Sequence, residues 1–192
     1  MSLLCCNPLT GNLLPIACGQ KRGGLFGEIY AANFCDIASI TSSTSSKEYD
    51  GIVMEIDPLT TDPAIWYRIV FKKNTAGLSN ELQIGNNTFT NQSISFTVEG
   101  LTAAALQTLQ DLSTGEAVFI AKDFLGVTHL LGRVAGLTVS AMTVGTGVAA
   151  DDIYGSVITF LGGEPEFSNT IATGTQITVL SEDGVTTETV TL

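Results

Sequence analysis

The sequence predicts a mainly β protein, an antiparallel β-barrel or sandwich with one flanking α-helix at about residues 101–113. Three features point there. Glycine, serine and threonine are abundant while charged residues make up only 14% of the 192, the usage of short strands joined by tight turns. Apolar and polar residues alternate with period two in several segments, as in half-buried strands. Only one stretch switches convincingly to a helical period. The length suits one domain with a sizeable core. Its elements divide into an irregular arm at 1–24, a barrel or sandwich at 25–163, and an extension at 164–192 that ends in a hairpin.

Residues 1–24 are broken by Pro8, Gly11, Pro15, Gly19 and the Gly23-Gly24 pair. Residues 25–30 and 34–40 read as short strands. Residues 41–46 (TSSTSS) form a polar, low-complexity loop, either a hairpin tip or a surface that orders against a partner subunit. Residues 51–56 are a strand. Residues 57–63 (DPLTTDP) are a proline-bounded turn, because the residue before each proline is held extended. The run at 65–72 (IWYRIVFK) is the most β-prone of all. Trp66, Arg68, Val70 and Lys72 share one of its faces, and the two charges mark that face as bordering solvent or another subunit. Residues 76–91 read as a long polar connection with a short strand at 81–84.

The rest is organised around residues 93–139. Ile94, Phe96 and Val98 alternate with Ser93, Ser95 and Thr97. The period then changes. Thr102 is placed to cap a helix whose apolar stripe is Ala105, Leu109 and Leu112, widened by Leu106, with Gln107, Gln110 and Asp111 opposite. Gly115 is expected to stop it in the left-handed conformation. Residues 117–122 and 128–133 are strands of a hairpin turning at 123–126. Strands at 136–144 and 155–161 follow, joined by a turn at 145–152, and Gly162-Gly163-Glu164-Pro165 is expected to break the second. Residues 175–180 and 186–192 make a terminal hairpin across Glu182-Asp183-Gly184. A two-stranded hairpin is barely stable alone, so this one must add to the main sheet or to a neighbouring molecule.

No constellation of reactive groups emerges: the sequence is read as having no catalytic residues, no cofactor site and no metal site. His129, the sole histidine, lies in a strand and reads as structural, and no G-x-S-x-G elbow accompanies it. Cys5, Cys6, Cys18 and Cys35 lack the paired C-x-x-C spacing of a zinc site and read as reduced, mostly buried thiols. One of them beside His129 is the only route to a hydrolase. Asp151-Asp152 fits no calcium loop, and Gly145 and Gly147 lack the Lys-Ser/Thr of a phosphate loop. The Asn86-Asn87-Thr88 and Asn91-Gln92-Ser93 sequons carry meaning only in a secretory pathway. The first residues lack the basic-then-apolar pattern of a signal peptide, and no apolar stretch is long enough to span a bilayer. Net charge is −11, and Asp151, Asp152, Glu164, Glu166, Glu182, Asp183 and Glu188 lie beyond the last basic residue, Arg133, with none opposing them in sequence. A surface of that sign neutralises no phosphates and does not grip nucleic acid.

Over roughly residues 18–163 the order of elements resembles that of the tail tube (major tail) proteins of bacteriophages. The matching features are the strand-rich first half with its polar loop at 41–46, the strand at 93–98 and the helix ending Leu109-Gln110-Asp111-Leu112. The hairpin turning at Gly126 and the closing strands after Gly136 and Gly155 complete the order. The resemblance implies a virion subunit that forms rings, commonly hexameric, stacking into a hollow tube that conducts DNA. Implied partners are copies of itself, other tail proteins, and DNA passing through the lumen without specific binding, with no membrane. The implied location is the virion tail, after assembly in host cytoplasm. Two expectations attach to it: the acidic carboxyl-terminal third contributes to the channel surface, where DNA slides without adhering, and residues 41–46 act in ring stacking. The competing readings are another phage structural part (head–tail connector, decoration or baseplate component), a secreted β-sandwich binding module with oxidised cysteines, and a cysteine-dependent hydrolase using His129.

Overall fold

The computed structural model describes residues 23–42, 48–54, 64–85, 88–147, 154–181 and 186–192. The first half holds β1 (Leu25–Asn33), a 3-10 turn (Phe34–Asp36), β2 (Ile37–Thr41), β3 (Glu48–Tyr49), β4 (Gly51–Met54), β5 (Tyr67–Val70), β6 (Gly77–Gln83) and β7 (Phe89–Glu99). α1 (Ala103–Thr114), the one α-helix among the described residues, comes next. Then follow β8 (Ala117–Asp123), β9 (Thr128–Leu131), β10 (Thr138–Gly145), β11 (Gly155–Glu164), β12 (Asn169–Ile171), β13 (Gln176–Leu180) and β14 (Thr187–Thr191).

Two open sheets face each other in a sandwich-like arrangement, not a closed barrel. One has the order β3-β12-β9-β8-β1-β5 and the other β10-β11-β7-β6. Neighbours are antiparallel throughout, except β3 beside β12. β2 with β4 and β13 with β14 form two further antiparallel pairs.

The first core lies between the sheets. Ile29 and Ala31 of β1 and Phe119 and Ala121 of β8 meet Ile94 and Phe96 of β7 and Ile158 and Phe160 of β11. A second core covers the opposite face of the six-stranded sheet, where Tyr30, Ala32, Val118, Ile120 and Leu130 pack against Trp66, Ile177, Val179 and Leu192. β8 therefore lies in a sheet covered on both sides, and its opening residues AVFIA are buried without alternation.

The terminal hairpin supplies much of this second cover. It joins the six-stranded sheet edge-on only at one parallel bridge, Val179 beside Trp66 just before β5. It packs on the sheet's face, tied by the Trp66 N–H to the Thr178 carbonyl at 2.9 Å and the Leu180 N–H to the Trp66 carbonyl at 2.9 Å. Trp66 is consequently only 1% exposed, against the expectation that its face borders solvent. Arg68 on the same face does meet charge, because it pairs with Glu28 of β1 (Nε–Oε2 3.0 Å) and with Glu188 of β14. Nearby, the Tyr30 hydroxyl donates to Glu28 at 2.7 Å; burial first, and then this bond to a carboxylate, push the phenol up from its ordinary value.

α1 forms where the helical period begins. Thr102 accepts the Ala105 N–H at 3.1 Å, satisfying one of the orphan donors of the first turn. Leu109 is the helix's buried residue and Leu106 is 43% exposed, so the stripe is narrower than the periodicity implies. Gly115 is extended (φ −108, ψ 172) and not left-handed, since the chain runs on almost directly into β8 and needs no reversal there.

Two further strand assignments change. The connection at 76–91 contains a full seven-residue strand, β6, whose polar sequence GLSNELQ suits a sheet margin with one face outward. β11 does not break at Gly162-Gly163. It continues to Glu164, pairing Gly162 with Gln92, Gly163 with Asn91 and Glu164 with Thr90. Glycine is required at 162 because a Cβ there would stand 2.5 Å from the Gly136 carbonyl oxygen and 2.6 Å from Leu137 Cδ2. The proline turn at 57–63, loop residues 43–46, Asn86-Asn87, Asp151-Asp152 and Glu182-Asp183-Gly184 lie outside the described residues.

Candidate interaction surfaces

His129 sits in β9, and its Nε2 lies 3.2 Å from Asp123 Oδ2. Asp123 is the organiser of the hairpin turn: its Oδ1 accepts the N–H groups of Leu125 at 2.8 Å and Val127 at 2.9 Å. Burial opposes the carboxylate's charge. The Val127 N–H, the His129 ring and the Leu125 N–H outweigh it and hold Asp123 below the ordinary carboxylate range. A depressed folded value contributes stability that is present above the unfolded pKa of about 3.9 and lost as pH falls through the folded one. Asp123→Asn is thus expected to flatten the acid limb of a thermal-midpoint profile below about pH 4. An acid limb identical to the parent's would show that the turn bonds do not couple to folding.

The expected buried-thiol role fails for Cys35, which is exposed and free in the 3-10 turn. Cys5, Cys6 and Cys18 lie outside the described residues. Among the described residues no group of three His, Cys, Asp or Glu gathers as metal ligands would. Asn91 lies mid-sheet, flanked by Gly163 of β11 and Glu81 of β6, and its neighbour Gln92 is buried.

The late acids are not unopposed. Glu164, 1% exposed, accepts the Val134 N–H at 3.1 Å and the Ala135 N–H at 2.8 Å. Glu166 accepts from Arg133 Nε at 3.1 Å and from Asn169 at 2.9 Å, and the Arg133 guanidinium also lies 5.2 Å over the Tyr49 ring. Glu188 pairs with Arg68. Arg133 and Arg68, which precede Glu166 and Glu188 by 33 and 120 positions, fold back onto them, while Glu164 is met by backbone N–H groups. The same region is stitched by Gln92, which accepts the Gly132 N–H at 3.0 Å and donates to the Glu166 carbonyl at 2.9 Å.

Open surface is found at the sheet margins. β5 ends the six-stranded sheet and β6 ends the four-stranded one. Val70 on β5 is 65% exposed, and Ile84, just past β6, is 82% exposed with Leu82 and Phe89 also outward. Between β5 and α1 runs a groove of about 740 Å³, with Ala31, Ile69, Leu112 and Leu180 among its apolar lining and Asp111 and Glu116 among its polar lining. At the tip of the β8–β9 hairpin, exposed Phe26 meets Phe124 edge-on at 5.7 Å. Ser79, Ser93, Ser95 and Thr159, aligned by the strand register, give the outward side of the four-stranded sheet a row of hydroxyls. No helix in the described residues is long and apolar enough to cross a membrane.

No protein-family model, no curated protein and no solved structure matches this chain.

Proposed function

We propose that this protein is a structural virion subunit that assembles with copies of itself into rings, and that the rings stack into a tail tube conducting DNA. The observation that carries the reading is the pair of sheet margins at β5 and β6, each with large apolar side chains left in the open. Such margins are pairing and aggregation hazards in a monomer and become joints when a closed assembly covers them. In this reading the chain performs no catalytic step and takes no cofactor. Its partners are its own copies, other tail proteins and DNA in transit. With Glu164, Glu166 and Glu188 engaged within the fold, an acidic channel wall rests on Asp151, Asp152, Glu182 and Asp183.

Negative-stain microscopy and sedimentation of the concentrated protein test the proposal. Tubes or stacked rings are expected. Single closed rings that never stack would favour a connector, and monomers persisting at high concentration would end the assembly reading. Deleting residues 42–46 is expected to leave folded rings that fail to elongate, and normal tubes from that deletion would remove the loop from stacking.

A further inference from the structure

The two ends of β8 carry opposite surfaces. Where β8 turns into β9, Phe26 is 58% exposed, Leu125 50% and Val127 39%, clustered about the Phe26–Phe124 ring contact. This apolar tip is firmly held. Asp123 accepts the Leu125 and Val127 N–H groups on its side chain, and its carbonyl accepts the Gly126 N–H at 3.1 Å. Lys122 stands exposed at the base of the tip. Exposed Lys73 lies at the same end, because Leu25 donates its N–H to the carbonyl of Ala76, just past the turn at 72–75. Neither lysine is paired with a described carboxylate. At the other end β8 is preceded by Glu116, where the groove between α1 and β5 opens. The groove has an apolar lining, and its acids Asp111 and Glu116 are exposed and paired with no described cation. One surface is convex, apolar and flanked by positive charge; the other is concave, apolar and flanked by negative charge.

We infer that the β8–β9 tip of one copy seats in the α1–β5 groove of a second copy, Phe26 and Leu125 against the apolar lining and Lys73 and Lys122 toward Asp111 and Glu116. This rests on the self-assembly reading and names the surfaces that meet. The two surfaces cannot satisfy each other within one copy. β1 clamps both ends of β8, pairing Asn33 with Ala117 and Leu25 with Asp123. The seven residues of β8, at about 3.3 Å each, hold the tip about 20 Å from the acidic end of the groove. Because the tip and the groove are different patches, the contact is head-to-tail. It leaves a free tip and a free groove on every pair, so it continues into a ring or a stack and does not stop at a dimer. The charges at the two ends bring copies together in one orientation and oppose tip-to-tip encounters.

The test follows the full chain by sedimentation over a concentration series. A Lys73→Glu/Lys122→Glu variant and an Asp111→Lys/Glu116→Lys variant are each expected to raise the concentration for half-assembly by about tenfold or more. Mixed one to one they are expected to assemble within about threefold of the parent, since each then meets its complement at both ends. Leu125→Asp, at an exposed turn position, is expected to impair assembly while leaving the thermal midpoint near the parent's. A photo-cross-linking residue in place of Leu125, in a mixture of isotope-labelled and unlabelled copies, is expected to give cross-copy products with α1 or β5. Parental assembly by both charge variants and by Leu125→Asp overturns the inference while the self-assembly reading stands. A mixture that assembles no better than its components overturns it too, as do cross-links confined to one copy. A parent chain that never assembles overturns both.

Discussion

Phe160→Ala is expected to destabilise the protein by about 3–5 kcal/mol, a large fraction of the roughly 5–15 kcal/mol that holds a domain folded. Phe160 is fully buried at the meeting of the two sheets. Its ring lies 4.6 Å, centroid to centroid, from Phe119 of the facing sheet and 6.1 Å from Phe96 of the neighbouring strand, nearly parallel to the latter. Truncation removes the buried ring's transfer free energy and leaves a void. The surroundings cannot close on it easily, because β11 is paired on both sides, to β10 and to β7, along most of its length. Chemical denaturation should show a lower midpoint at unchanged slope. Phe160→Leu, which keeps most of the volume, should cost markedly less. A loss below about 1 kcal/mol for the alanine variant would mean that the core relaxes where this packing says it is rigid.

Glu164→Ala is expected to cost about 1–3 kcal/mol, because the buried carboxylate is the acceptor for two backbone donors and its removal leaves its space unfilled. Its oxygens take the N–H groups of Val134 and Ala135, in the loop that carries the chain from β9 back toward β10. Without them those donors, on residues that are themselves exposed, must turn to water. Glu164→Gln tests the assignment, since it preserves size and one acceptor oxygen but turns an amide N–H₂ toward donors. Urea unfolding should place the glutamine variant between parent and alanine. A glutamine variant as stable as the parent would show that charge contributes nothing beyond shape.

Much of the first core was legible because local patterns and global burial agree there. The alternation in β7 places Ile94 and Phe96 inward, Thr102 caps the helix, and the turn after Asp123 closes the hairpin as its residues demand. The second core was not legible. Trp66 shares its strand face with Arg68, Val70 and Lys72, and nothing local announces that Ile177, Val179 and Leu192, more than a hundred positions later, will cover it. Glu164 follows a glycine pair and precedes a proline, so its residue type and neighbours all argue for solvent. Only the approach of the 132–136 loop reverses that. β6 was hidden for the opposite reason, since a strand at a sheet margin with an outward face needs few apolar residues. The α1–β5 groove takes a few residues each from β1, β5, α1 and the end of β13, a combination that no linear motif encodes.

The cover on the six-stranded sheet carries a consequence for synthesis. A ribosome making this chain has released Trp66, Val118, Ile120 and Leu130 long before it reaches Ile177, Val179 and Leu192. Until those last side chains emerge, a broad oily face stays bare on every nascent copy, a natural target for chaperones. A product that stops short of Ile177 keeps that face uncovered and is expected to aggregate.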